Sequence, residues 1–386
     1  MNPYDLVPYS GAVFPQTHPR RLAVIATLFG MKPAPHSRCR VLEIAAGDGG
    51  NLIAMAEAAP ESEFLGIDLA EETVARGNQR IRDLGLTNVQ LQAMDLLQLP
   101  ENLGAFDYIV AHGLYSWVPE PVRAGLMAAI RKLLAPQGVA YVSYNALPGG
   151  HLRLMLREMM QFHLRGVEDP QERVEQARAL LDFLPGAHAR PTEYHALLQA
   201  EADTWLHRPD FALYHDELGE VYHPLYFHQF IDHASEEGLQ FLGEADFGDM
   251  QDLVLQPDAA EMLRDLTDDI IIREQYLDFM KGRRFRQTLL CHEEIELDHS
   301  NAAKHVPWMM VSTTAQRSGD EFMGPAGAWM KTEHPLAVRM MNALIDAAPQ
   351  GIPVEVLCKK RERKEAVRIL LTAYASRMIE LEVIPT

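Results

Sequence analysis

The stretch VLEIAAGDGGN at residues 41–51 constrains the fold of this chain more than any other feature. Its apolar start predicts a short buried strand, and the glycines at 47, 49 and 50 predict a tight turn. The following residues, NLIAMAEAA, have helical composition. A strand, a glycine turn and a helix form the repeating unit of a doubly wound α/β sheet, which binds ligands at the carboxyl ends of its parallel strands.

The same alternation of strand and helix continues to about residue 145. Apolar runs predict the first five strands, and helical patterns fill the intervals. The predicted strands are 40–46, 63–70, 89–96, 106–113 and 138–145, and the predicted helices are 51–59, 71–85 and 121–135. This rhythm predicts a parallel sheet with helices on both faces.

Acidic residues lie at the ends of three predicted strands. Glu43 is at the end of the first strand, Asp68 closes the second 21 residues after Gly47, and Asp95 closes the third. A dinucleotide site would have glycine at position 52, where this chain has leucine. Asp68 is well placed to accept hydrogen bonds from two ribose hydroxyls, and the region of Asp95 is well placed to contact an adenine ring. Three acids without a basic residue favour a cationic, phosphate-free nucleoside, S-adenosylmethionine, over a glycine turn that serves packing alone.

Composition limits the partners. The chain of 386 residues is long enough for more than one domain, and its net charge of −19 disfavours nucleic acid and favours a cationic partner. The basic run KKRERK at 359–364 is interpreted as a solvated face rather than a nucleic-acid patch. The sequence has no signal-peptide pattern and no uncharged apolar stretch of membrane-spanning length, so we expect a cytoplasmic protein that does not insert into membranes.

Neither the cysteines nor the histidines indicate a metal site. Cysteines at 39, 291 and 358 are odd in number and far apart, which argues against disulfides and thiolate ligands. Histidines at 223, 228 and 233 have a five-residue spacing that rotates them away from a common helix face. No metal is therefore predicted.

These motifs resemble those of class I S-adenosylmethionine-dependent methyltransferases, with Ala45 in place of the first glycine of the family's acid-x-Gly-x-Gly-x-Gly pattern. Longer segments are similar to bacterial methyltransferases that carry a regulatory domain, the best-understood of which methylate lysines of outer-membrane proteins. The segments that carry this similarity are residues 3–30, 106–119, 138–151 and 279–290.

The resemblance implies a Rossmann-like sheet of seven strands with helical insertions. The last two strands are expected at 239–247 and at 285–297. The domain prediction is a cofactor-binding core at 1–149, a helical insertion forming a regulatory or substrate lid at 150–224, the rest of the core at 225–300 with a helical segment at 259–282, and a winged-helix-like module at 301–386. For that module we favour partner binding or dimerisation over DNA binding because the chain is acidic.

The resemblance also implies a cofactor site. An N-terminal segment, in which His18 is a further candidate, is expected to close over the methionine end, although Thr17 would also serve as a helix cap. The expected cofactor contacts are Gln16, Thr17, Glu43, Ala45, Gly47, Gly49, Asn51, Asp68, Leu69, Asp95, Leu96, His112 and Gly113.

The substrate side is expected after the fourth and fifth strands. The sequence AHGLYSWVPEP lacks the Asp/Asn-Pro-Pro-aromatic motif of DNA and glutamine methyltransferases, and His112, Tyr115 and Trp117 take its position. Aromatic rings there suit a methylammonium group. His112 and Tyr115 are the catalytic candidates, with His112 acting as a base or holding the cofactor or the loop, and Tyr144 and Asn145 border the same cleft.

The resulting prediction is a methyltransferase that uses S-adenosylmethionine to methylate lysine side chains of a cationic protein or peptide, with a possible homodimer. Two alternatives stay open at this point: a small-molecule methyltransferase of a biosynthetic pathway, and a non-catalytic protein that senses the cofactor or holds a partner.

Overall fold

A computed structural model describes residues 11–187, 189–190 and 192–384; the remaining parts of the predicted first and last domains lie outside the described residues. Its centre is a seven-stranded sheet in the order β3-β2-β1-β4-β5-β7-β6. The strands are β1 Arg40–Ile44, β2 Glu63–Asp68, β3 Val89–Ala93, β4 Phe106–Ala111, β5 Leu134–Asn145, β6 Leu239–Glu244 and β7 Phe285–His292. β1 to β5 are parallel, and β7 is antiparallel to both β5 and β6. The expected α/β sheet is therefore confirmed.

Helices cover both faces of the sheet, as the alternation predicts. The core helices are α1 Pro19–Leu28, α2 Gly50–Ala58, α3 Glu71–Asp83 and α4 Glu120–Leu133. Strand registers bring the carboxyl ends of β1, β2 and β4 to one edge: Glu43 lies opposite Gly66 on one side and Val110 on the other. β5 begins four residues earlier than its predicted start, because pairing with β4 already includes Leu134 opposite Phe106.

The insertion after β5 is helical, as predicted, and has an apolar core of its own. Its helices are α5 Gly150–His163, α6 Pro170–Gly186, α7 Glu193–Leu206 and the short α8 Asp210–Ala212, which runs into a π-helical turn at Leu213–Glu217. Leu156 and Met160 of α5 are fully buried against Leu181 of α6 and Leu198 of α7. The methionines of α5 therefore contribute to packing.

A second helical segment separates β6 from β7. It consists of α10 Pro257–Leu266 and α11 Ile270–Lys281, preceded by α9 Phe227–Glu236 before β6. The predicted single segment at 259–282 is divided because Asp269 accepts backbone hydrogen bonds from Ile271 and Ile272 and so caps a new helix.

The C-terminal part contains two helices of thirteen residues each and two three-stranded sheets. Its elements are β8 Met309–Ser312, β9 Gln316–Ser318, β10 Glu321–Met323, β11 Trp329–Lys331, α12 Pro335–Ala347, β12 Ile352–Pro353, α13 Val354–Leu357, α14 Arg363–Ala375 and β13 Glu380–Val383. It contacts helix α1 of the core, where Arg21 donates a 2.9 Å hydrogen bond to Glu380 of β13. Among the described residues, the helices are too short or too polar to cross a lipid bilayer.

Candidate functional site

The glycine turn after β1 is built on left-handed backbone. Gly47 and Gly49 have φ angles of 57° and 72°, and Ala45 has a φ of 61°. Alanine in this conformation costs roughly 1–2 kcal/mol, so the turn is held by its surroundings. A Cβ on Gly49 would lie 2.8 Å from the Leu91 side chain, whereas a Cβ on Gly47 would meet nothing within 4 Å. The turn therefore packs on β3 at Gly49 and leaves space for a ligand at Gly47.

Asp68 is fixed at the end of β2 by two backbone donors. The amide of Gly47 donates to its Oδ2 at 2.8 Å, and the amide of Ala70 donates to its Oδ1 at 2.9 Å. Each bond leaves the other lone pair of its oxygen available. The carboxylate therefore lies against the glycine turn with acceptor capacity for a pair of hydroxyl groups.

Glu43 lies beneath the same turn and is 4% exposed. Its Oε1 accepts a 2.9 Å hydrogen bond from Asn51, and its Oε2 is buried without a partner. Burial raises the pKa of Glu43 to about 7, against the smaller opposing effect of the Asn51 hydrogen bond. An unpartnered buried carboxylate oxygen fits a cationic ligand group, which would supply the missing donor and the compensating charge.

Asn51 joins Glu43 to the N-terminal segment. Its Nδ2 also lies 3.0 Å from Thr17 Oγ1, and its Oδ1 accepts from the Phe14 amide at 2.9 Å. The Thr17 hydroxyl in turn donates to the Phe14 carbonyl at 2.8 Å. Thr17 is consequently a tether for this segment and not the helix cap, because His18 Nδ1 accepts from the Arg20 amide and caps α1.

The remaining expected cofactor residues differ in their surroundings. The Asp95 carboxylate accepts from the Leu97 amide at 2.9 Å and from Gln98 Nε2 at 3.0 Å, so it caps the short turn at Leu96–Gln98. Leu96 is half-buried and Leu69 is 69% exposed. Since the Asp95 side chain is engaged in its own turn, the backbone here is better placed than the carboxylate to meet a ligand.

His112 follows β4 and is held in its neutral form. Its Nδ1 lies 3.0 Å from the Tyr141 hydroxyl, whose proton is donated to Gln287 Oε1 at 2.8 Å. His112 Nδ1 is therefore the donor, and its Nε2 carries the lone pair. Burial lowers the pKa of His112 to about 4. The Phe14 ring lies 3.9 Å from the imidazole, between ring centroids, so the N-terminal segment closes over His112.

Gln16 and Gly113 lie in the same region. The Gln16 side chain approaches the same Tyr141 hydroxyl that His112 contacts. The Gly113 amide donates to Ser143 Oγ at 2.8 Å, and a Cβ on Gly113 would meet nothing within 4 Å. The turn after β4 is thus fixed to β5 and leaves open space, as the glycine turn after β1 does.

Two aromatic residues expected at the cleft lie in the core instead. Tyr115 is 2% exposed, and its hydroxyl is 2.6 Å from His233 Nδ1. Tyr144 is 1% exposed, stacks on Phe230 and contacts Thr288 through its hydroxyl at 3.1 Å. Burial raises the pKa of both phenols. The buried positions do not favour a catalytic role for Tyr115 or substrate contact by either tyrosine, because packing already occupies both side chains.

Trp117 and Asn145 border the helical insertion and contact its Arg153. The guanidinium carbon lies 5.0 Å from the Trp117 ring centroid, and Arg153 Nη1 donates to Asn145 Oδ1 at 2.8 Å. Arg153 also pairs with the fully buried Glu217. One of the aromatic rings expected to face the substrate, that of Trp117, therefore already contacts a cation of this chain.

The structure also adds residues to the candidate site. Phe14 and Phe285 flank His112, the latter at 6.2 Å between ring centroids and 40% exposed, and Tyr141 fixes its tautomer. Phe14 and Phe285 belong to segments singled out by resemblance, which is a signal that could have identified them. Tyr141 lies mid-strand with no such marker.

The three histidines considered as metal ligands differ in their local partners. His228 Nδ1 is 2.9 Å from Gln275 Oε1, His233 contacts Tyr115, and the His223 amide donates to the Ser116 carbonyl at 2.8 Å. Within the described residues, no group of three or more histidine, cysteine or acidic side chains is arranged to hold a metal ion.

The arrangement as a whole fits a cationic nucleoside. Asp68 presents acceptors beside the glycine turn, Glu43 has an unpartnered oxygen below it, and open space faces Gly47 and Gly113. These features recognise hydroxyl groups and positive charge, and none of the three side-chain acids at the strand ends suits a pyrophosphate.

Two family models match the chain. One, described as a methyltransferase domain, matches residues 41–138, and the other, described as a predicted methyltransferase regulatory domain, matches residues 209–292. The second match overlaps the helical insertion predicted at 150–224 only at its end and mainly covers β6, β7 and the helices between them.

Relatives of known sequence or structure extend this similarity. The chain is 36% identical over 301 residues to the uncharacterized protein RP789 of Rickettsia prowazekii, and this match covers 78% of this chain but only 54% of that relative. It is 38% identical over 240 residues to the uncharacterized protein RP028 of the same organism, and this match covers 62% of this chain and 96% of that relative. The solved structure of PKMT2 from Rickettsia typhi matches with a TM-score of 0.85 at 31% identity, over 97% of this chain and 77% of that one. A second structure of PKMT2, in complex with AdoHcy, matches with a TM-score of 0.83 at 30% identity.

Proposed function

Because the chain belongs to the class I S-adenosylmethionine-dependent methyltransferases with a regulatory domain, we propose that it transfers a methyl group from S-adenosylmethionine to lysine side chains of a protein substrate. The observation that carries the proposal is the pairing of a hydroxyl-binding carboxylate, Asp68, with a buried, half-partnered acid, Glu43, on either side of the glycine turn.

The proposed division of work follows from these contacts. The cofactor supplies an electrophilic methyl group on a sulfonium. Asp68 accepts from the ribose hydroxyls, and Glu43 together with Asn51 holds the charged methionine end. Phe14 and Thr17 close the N-terminal segment over that end and exclude water, which strengthens the interaction of Glu43 with a cation.

The acceptor amine must arrive without its proton, because only the neutral form has a nucleophilic lone pair. His112 is too weak a base to remove that proton efficiently at neutral pH, since burial lowers its pKa to about 4. We assign it a positioning role in which Nε2 accepts a hydrogen bond from the amine and so aims the amine lone pair. Phe285 supplies an apolar neighbour that favours the neutral amine by desolvation.

A lysine-bearing substrate is favoured by charge and by similarity. The chain has 54 acidic against 35 basic side chains, which attracts a cationic polypeptide at long range. Similarity to PKMT2 over 97% of this chain supports a protein substrate in preference to a small molecule.

The test incubates the purified protein with methyl-labelled S-adenosylmethionine and a bacterial lysate, separates protein from small molecules, and hydrolyses the labelled protein. The proposal expects label in protein, recovered as methyllysine. Label confined to small molecules would support the biosynthetic alternative, and no label in either fraction, despite measurable cofactor binding, would support the non-catalytic one. Asp68→Ala is the background control.

A further inference from the structure

A groove of about 560 Å³ lies between α14 and the loop that follows β6, away from the site described above. One wall is a face of α14 and the turn before it, where residues 361, 364, 368, 371 and 375 recur every three or four positions. Arg361, Lys364 and Arg368 line its first half, and Leu371 and Ala375 line its second. Phe247 and Leu253 form the facing wall.

The three cations are exposed and have no ion-pair partner in the described part of the chain. Among the ion pairs of the described residues, none involves Arg361, Lys364 or Arg368. The acid that lines the same groove, Glu365, accepts a 3.1 Å hydrogen bond from His334 instead. A chain with a net charge of −19 thus keeps a local cluster of free positive charge along this wall.

The position of Lys364 is unfavourable for the helix itself. It lies in the first turn of α14, where the helix dipole disfavours a cation by about 0.3–1 kcal/mol. This lysine therefore does not serve the stability of α14, which argues for a role in binding.

In the apolar half of the groove, the facing wall is joined to α14 and to the residues that follow it. The Phe247 ring stacks on Tyr374 with centroids 5.7 Å apart, and Arg377 Nε donates to Asp246 at 2.6 Å. At the opening, by contrast, Leu253 is 56% exposed and the adjacent Val254 is 76% exposed. A packed aromatic ring next to exposed apolar side chains can accommodate an apolar side chain of a partner protein.

We propose that this groove binds an acidic amphipathic segment of a partner protein, whose carboxylates pair with Arg361, Lys364 and Arg368 while its apolar side chains enter between Leu371 and Leu253. Nucleic acid fits the cations but not the exposed leucine and valine beside them, which is why a polypeptide is favoured. The proposal is independent of methyl transfer.

The experiment measures binding of a fluorescent peptide to the full chain by anisotropy. The probe is a peptide of about 14 residues with leucine at helical spacing and glutamate at the other positions. One comparison peptide has glutamine in place of glutamate, and a second has serine in place of leucine. A labelled DNA duplex tests nucleic-acid binding. The variant is Arg361→Glu/Lys364→Glu/Arg368→Glu. Its charge-matched control is Arg38→Glu/Arg80→Glu/Lys132→Glu, which reverses three exposed cations that likewise form no ion pair with any residue that the structure describes.

The expected result is saturable binding of the acidic leucine peptide that falls at least tenfold in the groove variant and less than about threefold in the control, with both comparison peptides binding more weakly than the probe. Leu253→Ser, at an exposed position, should weaken binding without lowering the melting temperature. Absence of peptide binding at low salt, equal binding by both triple variants, or binding of the duplex alone with loss in the groove variant would overturn the proposal.

Discussion

The Nδ2 of Asn51 donates a 2.9 Å hydrogen bond to the Glu43 carboxylate, which leaves the second oxygen of Glu43 buried without a partner. The same Nδ2 reaches Thr17 at 3.0 Å, so one amide connects the floor of the cofactor site to the segment that closes it. A buried carboxylate with one oxygen lacking a hydrogen-bond partner is the feature of the site that most strongly favours a cationic ligand.

The first prediction concerns the pH dependence of cofactor binding. Because burial raises the pKa of Glu43 to about 7, the ligand-free protein holds Glu43 largely protonated at pH 6. A cation binds the ionised form better, so affinity for S-adenosylmethionine should rise as the pH rises from about 5.5 to 7.5. Glu43→Gln should flatten this dependence, and calorimetric titration across that range measures it.

Stability should change with pH in the opposite sense. A carboxyl whose folded-state pKa lies above its unfolded value of 4.5 contributes stability fully below that pH, and the contribution is lost as the pH rises through about 7. As the pH rises, the unfolding free energy of wild type should therefore fall relative to that of Glu43→Gln. A pH-independent difference would contradict the assigned burial of this charge.

The second prediction separates positioning from proton removal at His112. Since its pKa is lowered to about 4, the imidazole is neutral throughout the working range of the enzyme. His112→Ala should lower kcat by about tenfold through loss of alignment, while the pH midpoints of kcat/KM stay where they are. Loss of an ionisation near pH 6.5 from that profile would identify His112 as the general base instead.

The third prediction tests the buried placement of Tyr115. Tyr115→Phe removes the hydroxyl that contacts His233 at 2.6 Å and should cost about 1 kcal/mol of stability. Its kcat should remain within about twofold of wild type, because the hydroxyl does not face the cleft. Tyr144→Phe is the matched control for a buried hydroxyl in the same aromatic cluster. A hundredfold loss of kcat in Tyr115→Phe alone would restore the catalytic assignment.

The fourth prediction concerns the ion pair between Arg153 and the buried Glu217. Arg153→Met removes the hydrogen-bonded cation of Glu217 and leaves Arg157 as its positive neighbour. Burial raises the pKa of Glu217 to about 7 even with Arg153 present, so the acid should protonate in the variant, and the loss of stability should be about 1–3 kcal/mol. Adding Glu217→Gln should recover part of the loss. A double-mutant cycle by denaturant unfolding measures the coupling, and simple additivity of the two changes would argue against the pair.

Local patterns were sufficient to predict the first five strands of the sheet, whereas the last two were expected only because the family resemblance implies seven. β1, its glycine turn and Asp68 follow from apolar runs, glycine spacing and the fixed edge at which parallel strands end. The small errors in strand ends arise where a turn or a pairing partner decides the boundary, as at Leu134, which pairs with Phe106 before the apolar run begins.

Contacts between segments that are distant in the chain could not be predicted from local sequence patterns. Tyr115 was expected to face the cleft because it follows β4 closely, but its partner His233 is 118 residues away. Likewise, no local sequence pattern indicates that the Phe14 ring lies over His112 or that the Arg153 guanidinium packs on the Trp117 ring. Which face of a loop is buried depends on what packs against it, and that is a tertiary property.

The assignment of Asp68 to the ribose is best examined by calorimetric titration of the Asp68→Ala variant. Wild type should bind S-adenosylhomocysteine with micromolar affinity and should not bind NAD, and Asp68→Ala should weaken binding by about 100-fold because the ribose acceptors are lost. Glu72→Ala, at an exposed carboxylate in the first turn of α3, is the control and should bind as wild type does. Wild-type affinity in Asp68→Ala, or binding of NAD at the glycine turn, would show that this site does not hold S-adenosylmethionine as proposed.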